Sequence, residues 1–198
     1  NLRNVDESLA RRVAKGLGIE FPKKSKPVRE PVDLPASPAL SIHRNAKHTV
    51  EGRKIGILIN EGSDKGKIER LKKMIKEHNG VPAVIAPRAH GIKLSDGSKV
   101  DADGILAGMP SVLFDAVAVV LSNKGTDQLL KESAAVQWVQ DAYAHLKAIA
   151  YTKESERLLK KGGVDTNQKG ISTDLGSEFI KDAGTRFWKR EHLVRTLY

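Results

Sequence analysis

The chain has 198 residues, no cysteine and a formal net charge of +10. The absence of cysteine excludes disulfides, thiolate metal sites, iron–sulfur clusters and thiol catalysis. The charge raises the question of a nucleic-acid partner, but it is spread evenly. Residues 1–50 hold 10 Lys and Arg against 5 Asp and Glu, and residues 51–198 hold 24 against 19, which gives +5 for each part. Aromatic residues form only 5% of the chain, too few for a base-stacking surface. A solvated basic surface is the simpler interpretation, and incidental polyanion binding stays open.

The sequence also allows predictions about membrane-spanning segments and cellular location. No apolar run approaches about 18 residues, so we predict no membrane span. The first residues, 1–6, lack the apolar segment of a signal peptide. The chain does not begin with Met, which suggests a fragment of a longer protein. Because cysteine and a signal peptide are both missing, we expect a cytoplasmic location.

The first fifty residues differ from the remainder. The pattern over Asp6–Leu17 predicts a short amphipathic helix that begins at Asp6 and ends at Gly16 and Gly18. Its apolar side holds Leu9, Val13 and Leu17, and its basic side holds Arg11, Arg12 and Lys15. Five prolines follow within 17 residues, at positions 22, 27, 31, 35 and 38. This spacing predicts an extended connector without helix or central strand, an arm that needs a surface to lie on.

From residue 53 onwards, strand and helix patterns alternate. Apolar runs predict strands over 54–59, 81–86 and 115–121 and a fourth strand at Ile149. Helices are expected after Asp64 and over 133–146, and two short helices around Glu178 and Trp188. A turn at Asp96–Gly97 predicts a hairpin that joins 92–94 to 99–101. Alternating strands and helices predict an α/β sandwich with a parallel sheet.

The segment 145–155 reads as a buried strand that runs into a helix, the place where many α/β enzymes carry a nucleophile. Such an elbow needs Ser or Cys at a tight, glycine-flanked bend. Here the bend holds Tyr151, followed by Thr152 and Lys153, with no glycine. The elbow position therefore lacks a nucleophile, and we assign no catalytic residue to it.

Other candidate sites are equally incomplete. The loop Asn60–Lys67 follows the first strand, but it matches neither a Walker loop nor the dinucleotide glycine spacing, so a turn and helix cap is the expected role. The loop holds two acids, Glu61 and Asp64, and we give Glu61 no catalytic role because no nucleophile accompanies it. None of the histidines forms an i,i+3 or i,i+4 metal pair, and none follows the elbow closely enough for a hydrolase base; they are His43, His48, His78, His90, His145 and His192. We therefore predict no metal site and no cofactor site.

Several segments, in order, resemble the C-terminal end of large-subunit haem catalases. Asn4–Asp6 and Leu9–Ile19 resemble the last helix of the catalase core, and Ser37–Ile42 resembles the end of the connecting segment. Four further segments are similar to the appended domain of these enzymes: Gly52–Gly62, Ala86–Arg88, Ala107–Ser111 and Asp141–Ala150.

The resemblance implies a flavodoxin-like, three-layer α/β domain of the class I glutamine amidotransferase-like superfamily. The implied boundaries are 1–20 for the end of the core, 21–52 for the connector and 53–198 for the domain. In that superfamily a double-glycine turn often supplies an oxyanion hole, and here Ser122-Asn123 stands in its place. Compared with the active enzymes of that superfamily, this sequence therefore differs at the nucleophile, at the base and at the oxyanion turn.

The resemblance also implies a homotetrameric parent enzyme that converts hydrogen peroxide to water and dioxygen at a buried haem. The haem-bearing barrel would precede residue 1, so no catalase residue is carried over to this chain. The segment Arg195–Tyr198 has the wrong spacing for a proximal haem ligand. The expected role is a non-catalytic domain that contacts the catalase core and neighbouring subunits, stabilises the tetramer and shapes access to the haem.

Two alternatives stay open. The first is a chaperone-like module that holds unfolded client proteins through exposed apolar residues: Leu9, Val13, Leu17, Phe179, Phe187 and Trp188. The second is a residual hydrolase, for which Thr152 and Tyr151 are the local nucleophile candidates.

Overall fold

The computed structural model describes residues 2–30 and 32–195. The chain divides into two compact units, Asn1–Ala46 and Lys47–Tyr198. Among the described residues, no helix combines the length and the apolar character that crossing a bilayer demands.

The first unit is built around one amphipathic helix. Helix α1 spans Leu2–Val5 and α2 spans Glu7–Leu17. Asp6 caps α2, because its Oδ1 accepts the Leu9 backbone N–H at 2.8 Å. Gly18 ends the helix in the left-handed region at φ +64°. Gly16, which we expected to help end the helix, lies inside it, because glycine can also adopt helical backbone angles.

This unit buries very little apolar surface. In α2 only Ala10 and Ala14 are buried, while Leu17 stays 67% exposed. The ring of Phe21 lies between the guanidinium groups of Arg3 and Arg11, each 4.3 Å from its centroid. The unit is therefore held by polar and cation–π contacts rather than by an apolar core.

The prediction of a wholly extended connector over 21–52 is wrong at its end. A 3₁₀ turn spans Pro38–Leu40, and α3 spans Ile42–Asn45. Proline is well tolerated in the first turn of a helix, because its missing N–H has no partner there. Ser41 then caps α3, accepting the Arg44 N–H at 3.2 Å.

The second unit contains a six-stranded sheet in which every pair is parallel, in the order β5-β2-β1-β6-β7-β8. A separate antiparallel hairpin pairs β3 with β4. The strands are β1 Lys54–Ile59, β2 Val81–Ala86, β3 Ile92–Lys93, β4 Lys99–Val100, β5 Gly104–Ile105, β6 Ala116–Val120, β7 Ile149–Tyr151 and β8 Ile171–Ser172.

Helices cover both faces of this sheet. They are α4 Lys65–Glu77, α5 Asn123–Leu129, α6 Ser133–Ala144, α7 Glu156–Lys161, α8 Ser177–Ala183 and α9 Glu191–Val194. One buried cluster joins the sheet to α4 and α8, and the other joins it to α5, α6 and α7. The strands alternate between the two clusters, with Ile57 on one face and Leu58 on the other. The predicted three-layer α/β fold with a parallel sheet is confirmed.

The strands and helices predicted from strong apolar patterns are the ones that the structure confirms. Strands β1, β2 and β7, helix α4 with its Asp64 cap, and the hairpin are confirmed. The third strand is one residue shorter at each end than predicted. The helix predicted over 133–146 ends at Ala144, because Leu146 adopts a left-handed conformation at φ 59°. Sequence analysis did not anticipate β5, β8 or α5, and it predicted α7 only as a helix that follows the strand at Ile149, without bounds.

Candidate functional site

The carboxyl edge of a parallel sheet is where α/β proteins usually bind ligands. In this domain that edge is formed by the turns that follow β1, β6 and β7. The register aligns the ends of the three strands, since Ile59 lies opposite Val120 and Val119 lies opposite Tyr151. Glu61, Ser122 and Thr152 therefore belong to one edge, as their positions after the strands predict.

The position expected to carry a nucleophile does not form an elbow. Tyr151 is the last residue of β7, not the apex of a bend, and its side chain is 7% exposed. Thr152 follows with φ −77° and ψ 148°, which is ordinary extended backbone. A nucleophile elbow is a sharp, strained turn that exposes its side chain. The strand-to-helix connection is present as predicted, but the conformation that exposes a nucleophile is absent.

The Thr152 hydroxyl is used inside the protein. Its Oγ1 lies 2.7 Å from Ser155 Oγ and 2.9 Å from the Leu121 carbonyl, to which it donates. Ser155 Oγ donates to the Val119 carbonyl at 3.1 Å, and Ser155 is fully buried. These two hydroxyls bind the backbone at the end of β6 to the turn after β7. Thr152 is therefore a poor nucleophile candidate.

Ser122 caps a helix instead of forming an oxyanion hole. Its Oγ accepts the Gly125 backbone N–H at 2.9 Å and donates to the Glu61 carbonyl at 2.7 Å. Gly62 lies directly against it, at φ +76°, where an added Cβ would come within 3.0 Å of Ser122 Oγ. The Gly125 N–H, one donor that could have served an oxyanion, is thereby engaged. The Ser122 hydroxyl thus connects the turn after β1 to the turn after β6.

Glu61 is paired with an arginine. Its carboxylate contacts the guanidinium of Arg88, which also donates to the Gly91 carbonyl at 3.3 Å. The hairpin that follows lies over the turn after β1: Gly62 N–H donates to the Lys93 carbonyl at 2.8 Å, and Ser95 N–H donates to the Ser63 carbonyl at 3.0 Å. The hairpin and the ion pair therefore cover the turn after β1 at the carboxyl edge of the sheet.

Beside the turn after β7 lies a shallow depression of about 370 Å³, lined by Asn123, Lys153, Glu154, Glu156, Arg157 and Lys160. Its charges neutralise one another. Lys160 pairs with Glu156 at 2.7 Å, and Arg157 pairs with Asp127 at 2.7 Å. Of the basic side chains that line it, Lys153 alone has no carboxylate partner among the ion pairs of the described residues, and a single lysine in a shallow depression does not define an anion site.

The residues do not fit a haem group. All six histidines are exposed, whereas an axial haem ligand lies in a buried, shaped pocket. Tyr143 and Tyr151 are buried, but both rings belong to the apolar cluster that packs against α6. Tyr198, in the segment whose spacing we judged wrong for a haem ligand, lies outside the described residues. Within 2–30 and 32–195, no group of three or more His, Asp and Glu side chains could hold a metal ion.

The opposite, amino edge of the sheet carries two buried cations that sequence analysis missed. Lys147 is 3% exposed, and its Nζ donates to the Ser111 carbonyl at 2.6 Å. Burial, with a smaller effect of Arg186, lowers its pKa to about 8. Arg190 is 2% exposed and donates to the Lys147 carbonyl at 2.5 Å. Burial lowers the Arg190 pKa to about 10. No sequence pattern distinguishes these two from the many solvated basic residues.

Comparison with known proteins identifies the family of this chain. Residues 51–192 match the family described as the C-terminal domain found in long catalases. The chain belongs to this family. The predicted kinship is therefore confirmed.

Two relatives extend the match to nearly the whole chain. Catalase C of Rhizobium meliloti strain 1021 is 36% identical over 203 residues, which cover 98% of this chain and 29% of that protein. Catalase HPII of Pseudomonas putida is 32% identical over 196 residues, 96% of this chain and 27% of that protein. The chain thus spans less than a third of the length of these relatives.

Solved structures confirm the fold alone. A two-domain protein of Anabaena variabilis with DJ-1/ThiJ/PfpI-like and ferritin-like domains gives a TM-score of 0.52 at 22% identity, over 56% of this chain and 33% of that one. A ThiJ/PfpI domain protein of Brachyspira murdochii gives 0.51 at 14% identity, over 57% and 65%.

Proposed function

We propose that this chain is a non-catalytic part of a long haem catalase, a polypeptide that converts hydrogen peroxide to water and dioxygen. The observation that carries this proposal is the closed carboxyl edge: Tyr151 and Thr152 are buried, and the Thr152 hydroxyl is bonded to the backbone. Family membership supports the parent activity. Since the described residues offer no haem site, we place the haem in the part of the polypeptide that lies outside this chain.

Within that polypeptide we assign the chain a structural role. It contacts the catalase core and neighbouring subunits, stabilises a homotetramer and shapes access to the haem. The first unit supports this role, because it exposes Val5, Leu17, Ile19 and Ile42, while the apolar side chains that it buries among residues 2–30 and 32–46 are two alanines. Apolar side chains in such numbers on a small unit need a protein surface to lie on.

The test compares the complete long catalase with a version that ends at residue 20. Sedimentation velocity measures the oligomeric state, and loss of oxygen evolution on heating measures kinetic stability. We expect the shortened enzyme to keep its haem and its turnover but to dissociate or inactivate at lower temperature. An unchanged tetramer with unchanged heat resistance would contradict the structural role.

A holdase remains a second candidate, favoured by the stripe of Leu9, Val13 and Leu17, which are 41, 37 and 67% exposed. Part of the predicted client surface is wrong, since Phe179 is 2% exposed and Phe187 is half-buried. Trp188 is 56% exposed, as expected. Light scattering of a heated client enzyme, with albumin as control, tests this function. The holdase fails if a near-stoichiometric amount of the chain leaves aggregation unchanged.

A further inference from the structure

The amino edge of the sheet concentrates positive charge. We call this group of six side chains the amino-edge cluster: Arg53, Lys54, Lys147, Arg186, Lys189 and Arg190. Arg53 and Lys54 lie at the start of β1, and Lys147 precedes β7. The other three lie in the segment before α9, which the structure ties to the same edge. Arg186 Nη1 donates to the Asp115 carbonyl at 2.6 Å, and Phe187 N–H donates to the Leu146 carbonyl at 2.9 Å.

Carboxylates balance little of this charge. Asp115 serves two arginines at once, at 3.3 Å from Arg53 and 3.6 Å from Arg186. In the part of the chain that the structure describes, Lys147 and Arg190 have no ion pair with a carboxylate; each donates to a backbone carbonyl instead. The Nε and Nη1 atoms of Arg190 are buried without a hydrogen-bond partner. The Arg190 guanidinium lies instead against aromatic rings, 5.0 Å from the Tyr143 centroid and 5.1 Å from that of Phe187. Because Lys147 and Arg190 are buried, the positive charge that a partner can reach at this edge is that of the exposed Lys54 and Lys189.

Apolar side chains lie next to the same cations. Val112 and Leu113 follow Ser111, whose carbonyl binds Lys147, and they are 45 and 53% exposed. Trp188, at 56% exposed, lies two residues before Arg190. Exposed tryptophan and leucine beside basic side chains are typical of a protein-binding surface. At the opposite edge, by contrast, Glu61 and Glu156 are each paired with a basic side chain.

We propose that the amino edge is the surface by which this domain docks onto the remainder of the long catalase, against an apolar surface that carries carboxylates. This inference rests on the proposed function, since it takes the remainder of that polypeptide as the occupant. Two observations favour this occupant. The relatives carry more than two thirds of their length outside the match, and the charge of the edge repels a second copy of itself.

Hydrogen exchange locates the docked surface directly. Amide exchange is compared between this chain alone and the complete long catalase, over segments 110–114 and 185–190 at the amino edge and 60–64 and 121–125 at the carboxyl edge. We expect about tenfold slower exchange at the amino edge in the complete enzyme and no change at the carboxyl edge. Protection confined to the carboxyl edge, or no protection at either edge, would overturn the inference.

A variant pair gives a second readout. The double substitution Leu113→Ser and Trp188→Ser removes exposed side chains, so the fold, checked by circular dichroism of the chain alone, should survive. Ile105→Ser is the matched control, because Ile105 is 45% exposed on the short strand β5. In the complete enzyme the double variant should abolish the protection at the amino edge, and the control should keep it. Equal protection in both would overturn the inference.

The two proposals fail in different ways. If removal of the domain leaves the tetramer and its heat resistance unchanged while the amino edge is protected, the structural role fails and the docking surface stands. If removal weakens the tetramer while protection lies elsewhere, the structural role stands and the docking surface fails.

Discussion

The hydroxyl oxygens of Thr152 and Ser155 lie 2.7 Å apart, buried between the ends of β6 and β7. In an α/β hydrolase this is the region from which a nucleophile projects to solvent. Here both hydroxyls turn inward and bind Leu121 and Val119 of the neighbouring strand. In this domain, hydrogen bonds between the two strand ends therefore occupy the region that carries a nucleophile in those enzymes.

Thr152→Val should weaken the domain without affecting peroxide turnover in the complete enzyme. The substitution keeps the shape but leaves the Leu121 backbone and Ser155 Oγ with one partner fewer. A loss of about 1–3 kcal/mol in the free energy of unfolding is expected from urea titration. Ser155→Ala and the double variant complete a thermodynamic cycle. Strict additivity of the two losses would show that the hydroxyls do not act as a pair.

Gly62→Ala should destabilise the chain by about 1–2 kcal/mol, because its left-handed φ is unfavourable for any side chain. The close approach of an added Cβ to Ser122 Oγ increases the strain. Gly66→Ala is the control. It lies in α4, where its added Cβ would meet Asp64 at 3.4 Å, an ordinary contact, and alanine favours the helix. Chemical unfolding measures both, and equal stability of the two variants would contradict the close packing of the two turns.

Lys147 should make stability depend on pH above neutrality. Its pKa in the folded chain is about 8, below the ordinary value of 10.5. Between these values the unfolded chain binds the proton and the folded chain does not, so stability rises with pH across this window. Below pH 8 Lys147 is charged in both the folded and the unfolded chain. The free energy of unfolding is then lowered by the full cost of burying that charge.

Lys147→Met tests this assignment. The variant should lack the rise between pH 8 and 10.5, and near pH 7 its stability should change by between zero and a gain of about 2 kcal/mol. Thermal unfolding across this range, compared with the unsubstituted chain, gives the difference. Parallel pH profiles for the two proteins would rule out Lys147 as the titrating group.

The elements that sequence analysis predicted correctly are those in which apolar spacing repeats. Ile55, Ile57 and Ile59 mark β1, and Ile68, Leu71 and Ile75 mark α4. Strands β5 and β8 have two residues each, too short for any period. Helix α5 contains one buried large apolar residue, Leu129, so it lacked an amphipathic pattern.

The strand-to-helix connection after β7 could be predicted from the sequence, whereas the contacts that hold the site together could not. The lack of a nucleophile at Tyr151 is visible in the residue types. The inward bonding of Ser155 and the burial of Lys147 and Arg190 depend on contacts with residues 34 to 43 positions away. Such contacts arise from the packing of strands that are distant in sequence, which local patterns do not encode.

The most direct test of the central claim is a haem titration of the 198-residue chain, followed by an oxygen-electrode assay with hydrogen peroxide. The complete long catalase is the positive control. The account predicts no Soret shift characteristic of a ligated haem and no oxygen evolution above that of free haem for the chain, with both signals present in the complete enzyme. A stoichiometric Soret complex that evolves oxygen would contradict it.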